Sequence, residues 1–117
     1  MKYSTAIKSV TVELEENGTV VEYKLVEMNA ATRDKYMDTV AGRMRLDKDG
    51  KPQGVSKFEG MQADLLVHTL RSKDGKAVSK DTIQSWPSST VSGLFQEAQK
   101  LNLLSGEQEV LEEIKNV

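Results

Sequence analysis

The sequence predicts an α+β fold: an N-terminal antiparallel β-hairpin packed on a helix-dominated body of three to five helices. Three observations carry that expectation. Asn17-Gly18 sits between two runs rich in β-branched residues. From Tyr36 onward the apolar residues recur at helical rather than alternating spacing. Between those stripes lie two Asp-Gly turns and a Trp-Pro break. At 117 residues the chain has the length of one ordinary domain. It divides into a hairpin over 5–28, a helical body over 29–104 and a C-terminal amphipathic helix over 105–117.

The hairpin comes first. Asn-Gly is the preferred two-residue hairpin loop because both positions need φ > 0. A turn there fixes the register. Glu16 faces Thr19, Leu14 faces Val21, Val12 faces Tyr23 and Val10 faces Leu25. The last three pairs are apolar and share one face, and a one-residue slip would mix the faces. The other face pairs Thr11 with Lys24 and Glu13 with Glu22, which reads as solvent-exposed. A lone hairpin is marginally stable, so the helices that follow are expected to cover its apolar side.

Asn29 is placed to cap the first helix. Tyr36, Met37, Val40 and Met44 form its stripe, and it is expected to end near Leu46, before the loop Asp47–Pro52. The second helix is expected from Phe58 to Arg71. Phe58, Met61, Ala63, Leu65, Leu66, Val67 and Leu70 cover much of its circumference, the mark of a central helix. Gly60 should weaken its first turn. Lys73-Asp74-Gly75-Lys76 repeats the tetrad Lys48-Asp49-Gly50-Lys51, and two ordinary turns explain it better than a duplicated unit. Ser79 caps a short helix to Ser85, and Pro87 interrupts. A third long helix, Ser89 to Leu103, carries Val91, Leu94, Phe95, Ala98 and Leu101 on one side. Ser105 and Gln108 fit a capping box for the final helix, with Val110, Leu111, Ile114 and Val117 along one face.

Composition narrows the function. The formal net charge is −2 and basic residues are scattered, which argues against nucleic acid. No apolar run approaches the length of about 18 residues that a membrane span needs. Met1–Ala6 lacks the apolar stretch of a secretory signal, so the cytoplasm is the expected location. There is no cysteine, which removes disulfides, thiolate metal sites and thiol nucleophiles. Aromatics are 5% of the chain, so Val, Leu, Ile and five methionines must form most of the core.

Catalytic chemistry is hard to assemble. His68 is the sole histidine and sits among apolar neighbours, where a packing role is expected over a catalytic one. Asp47-Lys48-Asp49-Gly50 fails as a calcium loop, because Pro52 stands where glycine is needed and Phe58 where a glutamate is needed. Neither phosphate-binding glycine pattern occurs. Carboxylates fall on expected surfaces rather than in a buried pair. The expectation is a protein that is not an enzyme and takes no cofactor or metal.

The order of segments carries a resemblance. Arg43–Pro52 precedes Phe58-Glu59-Gly60-Met61-Gln62-Ala63-Asp64-Leu65-Leu66. Asp74-Gly75-Lys76, Thr82-Ile83-Gln84-Ser85-Trp86-Pro87-Ser88-Ser89 and Leu94–Asn102 follow. Together with the opening hairpin and Thr32-Arg33-Asp34, this arrangement resembles the tail assembly chaperones of long-tailed bacteriophages over about residues 5 to 104. Its motifs are packing and turn motifs. The resemblance implies a chaperone that coats the apolar, helical tape measure protein while the tail tube assembles, with self-association and possible contact to the tail tube protein. It implies a protein of the host cytoplasm that is absent from the mature virion, and a short form alongside a longer frameshifted one.

Apolar helix stripes with methionines suit such a role by helix-in-groove packing. The candidate contact residues are Met37, Met44, Met61 and Trp86, with the terminal stripe Val110, Leu111 and Ile114. Each has a plain alternative: Met61 reads as core, and the terminal stripe can fold back or meet a second copy. Two other functions remain open at this point, a structural tail tube or connector subunit and a host-directed regulator. Three long helical patterns fit a tube subunit poorly.

Overall fold

The computed structural model describes residues 1–55 and 58–104. The fold is α+β, an N-terminal antiparallel hairpin with four helices among the described residues. Strands β1 (Ser9–Glu16) and β2 (Thr19–Val26) pair in the register read from the sequence, from Glu16↔Thr19 through Leu14↔Val21 and Val12↔Tyr23 to Val10↔Leu25. Asn17 and Gly18 both hold positive φ, 52° and 80°, as the two-residue loop demands. Leu25 is fully buried, whereas Val10 at the far edge remains 41% exposed.

Helix α1 (Ala30–Ala41) starts where Asn29 accepts the Thr32 amide at 2.9 Å. It stops earlier than the stripe suggests. Gly42 closes it, its N–H reaching the carbonyls of Asp38 and Val40. Met44 therefore lies not on the helix but on β3 (Met44–Leu46), which pairs with β4 (Pro52–Val55). The segment read as a loop is a second small hairpin. Its turn and the one over Ser72–Lys76 are the same structure. In each, the fourth residue's amide reaches the first residue's carbonyl, Gly50 to Asp47 at 3.0 Å and Gly75 to Ser72 at 2.9 Å. In each, the first residue's amide returns to the fifth's carbonyl, and the glycine sits at φ +78° or +84°. The repeated tetrad is thus one turn used twice, a type I turn closed by a left-handed glycine.

Helix α2 spans Met61–Thr69, shorter at both ends than expected. Gly60 takes φ 74° and stands outside the helix, a left-handed residue that aims the chain rather than a weak first turn. At the other end Leu70 becomes extended and opens β5 (Leu70–Ser72), which pairs with β2 through Leu25↔Leu70 and Lys24↔Arg71. The sheet order is β1-β2-β5. Arg71 folds back over the helix end, its guanidinium donating to the carbonyls of Val67, His68 and Leu70 at 2.8–3.2 Å. Those are the carbonyls a helix terminus leaves without partners.

Ser79 caps α3 (Lys80–Gln84), accepting the Thr82 amide, and α4 (Ser88–Leu101) begins directly after Pro87. Val91, Leu94 and Ala98 of α4 are buried, with Phe95 and Leu101 packed against the same core. Beneath them lie Leu65 and Leu66 of α2 and Leu70 of β5, all at 0% exposure, and α2 packs against α1, α3 and α4, so it is the central helix. Asn102 clasps the two halves of the chain. Its side chain accepts the Met28 amide at 2.8 Å and donates to the Ala98 carbonyl, while its own carbonyl takes a bond from Arg33. The final helix expected over 105–117, with Val110, Leu111 and Ile114, lies outside the described residues. Among the described residues, no helix is long and apolar enough to cross a membrane.

Candidate functional site

The approach to α2 and the α3–α4 junction meet at one place on the helical body. The approach to α2 supplies Phe58, Gly60 and Met61, the exit of α3 supplies Gln84 and Trp86, and the start of α4 supplies Ser88 and Val91. Between them is an open groove of about 380 Å³. That space suits one or two large apolar side chains of a partner.

Each wall has a local cause. Gly60's left-handed turn brings the chain so close to α3 that an added Cβ would lie 2.8 Å from Lys80 Cε. Trp86 is held by β2, its ring edge-on to Tyr23 with centroids 5.8 Å apart. Tyr23 in turn donates its hydroxyl to Glu16 at 2.7 Å. Burial, and then the Glu16 carboxylate, push the Tyr23 hydroxyl up to about 12, so it stays a neutral donor. The hairpin thereby fixes one side of the groove.

Phe58 forms the lip. It is 64% exposed and also borders a second depression of about 500 Å³, lined by Thr39, Gly42, Arg43 and Glu59. An ion network sits beneath it. Asp64 accepts Arg43 Nε at 3.2 Å and pairs with Lys80 Nζ at 3.0 Å, and Arg43 also donates to the Glu59 carbonyl at 2.8 Å. These bonds tie the end of α1, the centre of α2 and the start of α3 behind the apolar lip.

The structure brings two of the expected contact residues together: Met61 and Trp86 line the same groove. Two others lie apart from it, and Val110, Leu111 and Ile114 fall outside the described residues. Met37 is half-buried on α1 against the core, and Met44 is half-buried on β3. The groove also includes Phe58, a residue the sequence alone places on the face of a central helix. Its position two residues before a glycine was the signal that it precedes the helix instead.

His68 does not line the groove. It stands edge-on to Tyr36, ring centroids 6.5 Å apart. Burial first, then the positive charges of Arg71 and Lys35, hold its pKa below the ordinary value, with Asp64 opposing. A folded pKa below the unfolded value of about 6.5 means the unfolded chain binds more protons as pH falls through that value. Stability from this residue is complete above that pH and declines below it. The thermal midpoint should therefore fall between pH 7 and pH 5, and His68→Gln should flatten that slope. An unchanged slope in the variant would remove His68 as its source.

Among the described residues, no group of three or more His, Cys, Asp or Glu side chains is arranged to hold a metal ion. Comparison with protein families, curated proteins and solved structures finds no match for the chain.

Proposed function

We propose that the chain is a non-catalytic interaction protein, and within that class a bacteriophage tail assembly chaperone. It binds the tape measure protein and promotes tail tube assembly from the host cytoplasm, without entering the mature virion. The supporting observation is the solvent-open groove of Phe58, Met61 and Trp86 on a body whose interior is already filled by other side chains. An apolar lip of this kind suits the face of an amphipathic helix, laid in as successive anchors. Met61 adds a flexible side chain able to accommodate varied partners, which a coat along a long helical protein requires. The segment order that resembles the chaperones runs through the same groove residues.

The test is co-expression with a long helical tape measure protein, reading its soluble fraction. The native chain should raise that fraction. Phe58→Ser should leave folding intact and weaken binding by about 30-fold, the loss of one aromatic anchor worth ~2 kcal/mol. A tape measure that stays insoluble, or stoichiometric recovery of this chain from purified virions, would overturn the reading. The second result would favour a structural tail component.

A further inference from the structure

We propose that β1 is a homotypic pairing edge: two copies of this chain join β1 to β1 in antiparallel fashion, centred on Val12. The inference concerns the opposite side of the hairpin from its partner strand and does not depend on what fills the groove.

In the sheet order β1-β2-β5, one side of β1 has no partner strand among the described residues. The strand is eight residues long, a template for another strand. Its hydrogen-bonding phase is known. The Glu27 amide donates to the Lys8 carbonyl at 2.8 Å, and a two-residue turn closes on Glu16↔Thr19. Lys8, Val10, Val12, Leu14 and Glu16 therefore turn their backbone groups toward β2. Ser9, Thr11, Glu13 and Glu15 turn theirs to the open side, and all four are exposed.

A second β1 can satisfy those groups in only a few registers, and side chains choose between them. With Val12 opposite Val12 of the other copy, Val10 faces Leu14, Thr11 faces Glu13, Ser9 faces Glu15 and Lys8 faces Glu16. Every apolar residue meets an apolar residue. Each copy's lysine meets a glutamate, and no like charges stand directly opposite. Glu16 has acceptor capacity beyond the single bond from Tyr23. Sliding by two residues either way breaks this match, placing Lys8 against Leu14 or Glu13 against Glu13. The chosen register is self-complementary, as a two-fold interface must be. It also covers the part of the hairpin's apolar face that the helices leave open at Val10, 41% exposed. Two three-stranded sheets would become one continuous six-stranded sheet.

The experiment uses the full chain alone. The chain has no cysteine, so Val12→Cys introduces a unique thiol. Facing its own copy in a closely spaced pair, it should give a disulfide-linked dimer under mild oxidation. Thr11→Cys, which faces Glu13 instead, should give little. Sedimentation should show a dimer for the native chain and a monomer for Thr11→Pro, which removes one outward N–H. If Thr11→Pro unfolds, a charge series decides. Lys8→Glu should weaken the dimer about tenfold, and adding Glu16→Lys should restore it. A monomeric native chain, or a dimer indifferent to Lys8→Glu, overturns the proposal.

Discussion

Leu66→Ala is expected to lower the unfolding free energy by about 3 kcal/mol, a large share of what a domain of this size possesses. Leu66 is at 0% exposure in the middle of α2, and α2 is packed by α1, α3 and α4. Its neighbours Leu65 and Leu70 are equally buried and belong to the same core cluster. A cavity opened there is fenced by helices already tied to each other through Asp64 and Asn102, so little collapse can fill it. Urea unfolding should show a lower midpoint with an unchanged slope, and the thermal midpoint should fall by about 12 °C or more. A loss under about 1 kcal/mol would mean that α2 is not the centre of the fold.

Asp64→Asn is the second large effect, about 2–3 kcal/mol. The substitution keeps the shape and removes the charge. Arg43 and Asp64 are mostly sheltered, with side chains 14% and 15% exposed. The variant would leave two cations, Arg43 and Lys80, converging on a neutral amide. Lys80 is 44% exposed and contributes little by itself, so Lys80→Met should cost under about 1 kcal/mol. The asymmetry between the two variants is the measurable signature. Because the Arg43 pair is sheltered, the loss in Asp64→Asn should persist at high salt. A loss that disappears in salt would make the network a surface feature.

Much of the fold is legible in the amino-acid sequence itself. The hairpin was legible because two independent signals agreed: the Asn-Gly loop and the apolar alternation demand one register, and that register is found. The helix starts at Asn29 and Ser79 were legible because a cap is a local hydrogen bond, set by one side chain. What was missed depends on partners distant in sequence. Leu66 and Leu70 are four apart and look helical, yet Leu70 leaves the helix because β2 offers an open edge beside it. A three-residue strand has no periodicity of its own. The β3–β4 hairpin hid for a similar reason, its Asp-Gly turn being visible but its strands too short to announce themselves.

The site was legible in part. Met61 and Trp86 were singled out separately, one as a flexible side chain and one as an aromatic in a connection. Their convergence follows from Gly60's left-handed turn and the Tyr23–Trp86 ring contact, neither of which spacing can express. Met44 lies on β3 rather than on α1, although it falls on helical spacing, because the helix ends at Gly42 before reaching it. Phe58 is exposed ahead of α2 rather than on the helix's buried face, and hydrophobicity alone does not separate a core ring from an exposed one.

The junction between α2 and the sheet has a mechanical meaning. Thr69 ends the helix and Leu70 begins the strand, with no loop to act as a pivot. The floor of the groove and the edge strand β5 are therefore one continuous run of chain. Under the proposed binding role, a partner would press on a helix hydrogen-bonded through β5 to the sheet, and the fit would come from the flexible side chain of Met61 rather than from that backbone.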